Sequence, residues 1–223
     1  MDRHRFRQKM ALALAAAAAM VLTVGCTSLM VTALYLFQGN DEEAKFTGLK
    51  GKKVAVVCRP MVSLQDSGAN VSRELAKQIG TLLEEKGDKI KTIDQQKIAK
   101  WTDTNPWDEY TEVGKAVKAD VVVGIDLESF SLFKAQTLLQ GNAKVKIVVY
   151  DCKTGKLLFE DEIPQYLYPP NAPVETCVQS ESEFRRHYIH ALAGRIGLTF
   201  YSHDRYYNIG QDASALGGEG AEQ

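Results

Sequence analysis

The chain has 223 residues, room for one globular domain of roughly 150 residues with a membrane segment and a tail, and too few for two full domains. Its 27 Lys+Arg and 28 Asp+Glu leave a formal net charge of -1, so neither a basic excess that would attract nucleic acid nor an acidic excess typical of disorder is present. Charge is uneven only at the start, where Arg3, Arg5, Arg7 and Lys9 precede the uncharged stretch "MALALAAAAAMVLTVG". A basic flank followed by an apolar run is the pattern of an export signal, whose positive end stays in the cytoplasm.

Thr23-Val24-Gly25-Cys26 resembles the bacterial lipoprotein signal, with Thr23 where that pattern most often has Leu. The resemblance implies cleavage after Gly25 and lipidation of Cys26, so that residues 1–25 are a signal peptide. The apolar run does not end there: Ala11 to Phe37 is 27 residues without a charge, more than the 18–20 or so that a spanning helix needs. Two readings therefore stand, a chain cut and acylated at Cys26 or an uncut signal anchor. Both place the chain at the cell membrane or outer membrane with its domain in the periplasm, because acyl chains worth about 0.8 kcal/mol per buried methylene hold a domain much as a helix does.

Residues 38–51 are polar and Gly-bearing, a linker into the folded part; the glycines and lysines here do not fit the spacing of a phosphate loop. The domain, residues 52–207, opens with "KKVAVVCRP", a continuous run of β-branched residues as in a strand buried on both faces. In "SRELAKQIGTLLEEKG" the spacing of Leu75, Ile79, Leu82 and Leu83 predicts a helix, with Ser72 as its cap and Gly87 as its stop. "KIKTID" then supplies a second, parallel strand.

A short helix over Gln95 to Trp101, a break at Pro106 and a helix over Trp107 to Lys118 lead to the long strand "ADVVVGIDLESFSLF". Gln136 to Gly141 is predicted to turn it, and two further strands surround the "KTG" turn as a meander. A last helix starts at Ser180 or Ser182, and residues 208–223 form a small polar tail expected to be disordered. The predicted fold is α/β, a mixed sheet of about five strands in the order β-α-β-α-β-β-β-α with helices mainly on one face, preceded by an N-terminal hydrophobic helix.

"VAVVCRP", "ELAKQIGTLLEEKG", "ADVVVGIDLESFSL" and "AKVKIVVYDCKTGKLLFEDEI" together resemble the periplasmic domains of small bacterial envelope lipoproteins. That group includes the curli secretion lipoprotein, the activators of penicillin-binding proteins and the amino-terminal domain of the Tol-system propeller protein. The resemblance covers Lys52 to Ile163 and the last helix; its motifs are Ala119-Asp120-Val121 and the Thr154-Gly155 turn after a strand ending in Asp151. It implies a non-enzymatic domain that binds other proteins or builds an envelope assembly. A second pair of amphipathic strands long enough to cross a bilayer is lacking, so pore formation is not implied, and "QYLYPPNAPVETC" has no counterpart in the group.

Cys58, Cys152 and Cys177 follow Cys26. In an oxidising compartment Cys152 and Cys177 form the most plausible disulfide, while Cys58 reads as a core thiol. Glu183, His187 and His190 share a helix face and His203 follows, but the spacing lacks a metal-binding motif and the expectation is a solvated face; no metal or cofactor is expected. No Gly-x-Ser-x-Gly elbow occurs, and Asp161 and Glu162 read as solvated charge.

Phe130, Phe133, Leu138 and Leu139 straddle a predicted turn, and Tyr166, Tyr168, Pro169 and Pro170 stand in a stiff loop. They are candidate partner-binding residues, with a lid folded onto the sheet as the other reading. Trp101 and Trp107 face the same choice, with core packing favoured. The expected function is a membrane-tethered periplasmic protein that acts on envelope partners by binding or assembly, without catalysis and without nucleic acid. The alternative is an envelope enzyme or small-ligand carrier on an uncut anchor.

Overall fold

A computed structural model of the chain describes residues 41–60 and 65–204. The apolar run 11–37 with Cys26, and the tail 208–223, lie outside the described residues. Among the described residues no helix is long and apolar enough to cross a membrane.

The first long strand, β1 (Lys53–Pro60), buries Val54, Ala55 and Val56 completely because it lies inside the sheet with a layer on each side. Helix α1 (Gln65–Lys86) begins ahead of Ser72, which is therefore not its cap but a buried mid-helix residue. It stops as expected, with Gly87 N donating to Leu83 O at 3.0 Å. Strand β2 (Lys91–Thr92) pairs in parallel with Lys53 and Val54 only, since Asp94 at once caps α2 (Gln95–Thr104) by accepting from Gln96 N at 2.8 Å. After the break at Pro106 comes α3 (Tyr110–Ala116).

Strand β3 (Val121–Ala135) runs parallel to β1, from Val54↔Val121 to Pro60↔Leu127, and continues past it. Strands β4 (Leu138–Asp151) and β5 (Leu157–Tyr168) follow antiparallel. The two-residue strand β6 (Val174–Glu175) pairs with Leu138 and Leu139, and α4 (Glu181–Gly197) starts where Ser180 Oγ accepts from Glu183 N at 3.3 Å. The sheet order is β2-β1-β3-β4-β5, with β6 against β4 beyond the end of β5.

The two sequence motifs have structural work. Asp120 Oδ2 accepts from Lys53 N at 3.0 Å while Asp120 N donates to Lys53 O at 2.8 Å, which fixes the start of β3 against β1. Asp151 Oδ1 accepts from Lys153 N (3.0 Å), Thr154 N (2.7 Å) and Thr154 Oγ1 (2.9 Å), and Gly155 closes the β4–β5 turn at φ +72°, a conformation open to glycine.

Helices α1 and α4 share one face of the sheet, over Val54, Val56, Val121, Val123, Ile125, Leu127, Val145, Ile147 and Val149. The short α2 and α3 cover part of the other, over Ala55, Val57, Val122 and Val148. The two long helices thus share one face, as expected, and the two short ones add cover to part of the other, because β1 and the first half of β3 are apolar on both. Beyond α2 and α3 the second face carries charge: Lys144 Nζ meets Glu128 at 2.8 Å and Glu162 at 3.1 Å, and Lys146 Nζ meets Glu160 at 2.6 Å. At the edge, Pro164 falls in an irregularity of β5 between the Val145↔Ile163 and Ala143↔Tyr166 pairs.

Candidate functional site

The β3–β4 hairpin runs beyond β1 and turns at Gln136 and Thr137, tighter than the predicted Gln136 to Gly141. Gly141 is a strand residue instead: a Cβ there would stand 2.6 Å from the ring of Tyr188, so only glycine lets that ring lie on the strand. Pairing of β6 with Leu138 and Leu139, with Thr176 N donating to Thr137 O at 3.0 Å, brings the segment after β5 to the hairpin tip. The two candidate stretches, 130–139 and 166–173, therefore meet at one end of the sheet.

Their side chains divide. Phe130 stacks on Tyr188 with ring centroids 5.0 Å apart, Tyr166 does so at 6.3 Å and Tyr168 at 6.0 Å, and Phe184 joins at 6.3 Å. These rings close the α4 side of the core. Burial, and secondarily Tyr166, pushes the Tyr188 phenol upward, so its hydroxyl stays protonated in the apolar cluster. Pro169 is buried and its carbonyl accepts from Gln140 Nε2 at 2.8 Å, while Leu139 is fully buried.

Outward at this end face Phe133, 43% exposed, Pro170, the half-buried Leu138, and Val178 at 76%. Val178 was not legible as a site residue because it is a single apolar residue in a polar stretch. What this surface offers chemically is apolar contact on a backbone held by the hairpin and β6.

Cys152 and Cys177 do not pair; both are free. Cys152 follows the last residue of β4 and lies buried, whereas Cys177 follows β6, which pairs with the first residues of β4. Roughly 40 Å of strand separates those ends at about 3.4 Å per residue, far beyond disulfide reach. Burial pushes the Cys58 thiol up to about 12 despite the Ser72 hydroxyl beside it, and burial with Asp151 and Asp120 pushes Cys152 to about 11. The exposed Cys177 is also raised, by its contact with Glu175 Oε2 at 3.3 Å. All three are held as thiols, not as the nucleophilic thiolate.

Glu183, His187 and His190 are exposed on α4; His187 Nδ1 lies 3.0 Å from Gln179 Nε2 and His190 Nδ1 lies 3.2 Å from Gln78 Oε1. His203 Nε2 lies 3.8 Å from Glu42. No group of three metal-capable side chains occurs among the described residues. Trp101 and Trp107 pack half-buried on the second face; the Arg59 guanidinium sits 4.7 Å from the Trp107 and Tyr110 ring centroids and donates to Asp108 O at 2.5 Å. Tyr110 OH donates to Asp126 Oδ1 at 2.6 Å.

No protein-family model matches the chain, and no curated protein matches it in sequence. Solved structures similar to it include the PelC dodecamer from Paraburkholderia phytofirmans, at 11% identity over 70% of this chain and 92% of that one, TM-score 0.41. Lipoprotein GNA1162 from Neisseria meningitidis is similar at 12% identity over 65% and 96%, TM-score 0.41. The LpoB C-terminal domain from Salmonella enterica is similar at 13% identity over 54% and 84%, TM-score 0.37. At these identities and scores neither function nor assembly passes from those proteins to this chain.

Proposed function

We propose that the chain is a membrane-tethered periplasmic module, acylated at Cys26, that acts without catalysis by holding an envelope protein at the hairpin end of its sheet. The observation that carries this reading is the convergence of the β3–β4 tip and the segment after β5, which leaves Phe133, Pro170 and Val178 outward on a rigid base. Exposed apolar side chains on a fixed backbone supply contact area at little ordering cost, which is what a protein interface needs. The sequence supplies the location: a basic flank, an apolar run and Gly25-Cys26.

The test is crosslinking in intact cells from a photoreactive residue at position 170, with the anchor retained and the intact mass of the chain read out. A discrete envelope partner, lost in a Phe133→Ser, Val178→Ser double variant, together with an acylated Cys26, supports the proposal. Turnover of peptidoglycan or phospholipid by the purified chain would sink it, as would capture that ignores both substitutions.

A further inference from the structure

Alternate residues of β1 turn their backbone groups toward β2. Lys52 O accepts from Lys91 N at 3.1 Å and Val54 O from Ile93 N at 2.8 Å. There β2 ends, and Val56 O takes the side-chain amide of Gln95 at 2.9 Å, a side chain standing in for the next strand residue. By the alternation of a parallel ladder, the following edge groups are the N–H and C=O of Cys58.

Cys58 lines a cleft of about 190 Å3 between α1 and α2, whose apolar walls are Val56, Ala76, Ile98, Ala99 and Trp107. The Ser72 hydroxyl, 3% exposed, is buried in its wall beside the Cys58 thiol. Arg73 on α1 and Asp103 on α2 form an ion pair of 2.5 Å, so the charged residues here cancel. The size decides the ligand class. Sites for drug-sized ligands run to roughly 300–1,000 Å3, so this cleft is too small for a nucleotide-sized molecule and large enough for a side chain with its flanking peptide groups.

We infer that the cleft binds an extended, uncharged peptide segment of a partner protein, which adds to the open edge of β1 at Cys58 and seats one small apolar side chain between Ala76 and Ile98. The complementarity is specific to peptide: a strand edge that no described residue pairs beyond Gln95 offers a donor and an acceptor at strand spacing, and the walls take the side chain that points off that strand. Gln95 already uses the adjacent position in this way. The site is distinct from the hairpin end and does not depend on the proposal made for it.

The full chain in detergent micelles, in a Trp101→Phe background, would be titrated with the blocked pentapeptide acetyl-Thr-Val-Thr-Val-Thr-amide while Trp107 fluorescence and hydrogen exchange at the Cys58 amide are followed. The expected result is a saturable fluorescence change with slowed exchange at Cys58, weakened at least about tenfold when alternate peptide amides are N-methylated. Ala99→Phe, on the half-exposed side of α2, should abolish both signals at an unchanged melting temperature, and Phe133→Ser should leave both intact. The inference is overturned by no saturable change up to about 1 mM peptide, by equal binding of the N-methylated peptide, or by a Cys58 amide already protected before peptide is added.

Discussion

Two faces of one sheet follow different rules. Beneath α1 and α4, alternate residues of β3 and β4 are apolar and buried along Val121 to Leu127 and Val145 to Val149. On the opposite face the same strands change character along their length, apolar at Val122 and Val148 under α3 and α2, then charged at Glu128, Lys144 and Lys146 where none of the described helices lies. The alternation of a strand thus records its cover residue by residue, and a strand long enough to outrun one layer carries two patterns.

The largest effect that can test this contrast is Ile147→Ala on the covered face. Ile147 is fully buried, and the truncation should cost about 2–5 kcal/mol, read as a lower denaturant midpoint at unchanged slope. Gly124→Ala, on the second face under α3, comes next: its Cβ would stand 2.6 Å from the Tyr110 ring, which the bond to Asp126 holds in place. A loss of about 1–3 kcal/mol is expected, and a melting temperature equal to that of the unaltered chain would show that this half of the face is loosely packed.

Lys146→Met, on the uncovered part, should leave the denaturant midpoint unmoved at low and at high salt, since exposed ion pairs contribute little. A clear drop at low salt alone would make the charged ladder structural. An effect smaller than that of either core substitution belongs to the β4–β5 turn, where the Thr154 N–H and hydroxyl hold the Asp151 carboxyl below its ordinary value of 3.8. A depressed carboxylate stabilises the folded chain above that value and loses its contribution as pH falls through the folded one. The melting temperatures of the native chain and Asp151→Asn should therefore differ at pH 7 and converge as pH is lowered well below 3.8.

Much of this architecture could be read from residue order. The break at Pro106, the stop at Gly87, Asp120 before its strand and the Thr154-Gly155 turn are local signals, and each sits where local chemistry puts it. The partition of helices between faces was not legible, because amphipathic spacing reports that a helix has a buried side without saying which side of a sheet receives it. Ser72 misled for a related reason: a serine caps a helix only at its end, and α1 begins earlier.

At the hairpin end the aromatic residues were recognised, but their direction was not. Phe130, Tyr166 and Tyr168 turn inward because Tyr188, distant in sequence on α4, gives them a ring to stack on, and Gly141 makes room for it. Cys152 and Cys177 lie close in sequence yet at opposite ends of β4, a separation that only the pairing of β6 reveals.

Pro164 has a consequence for the chain in the company of its copies. It stands exposed in the edge strand β5, at an irregularity and just after Glu160, Asp161 and Glu162. A proline offers no N–H to an incoming strand. Fibrillar stacking of one molecule on the next through this rim is thus interrupted halfway along, which protects a crowded population from aggregation at the place where sheets most readily grow.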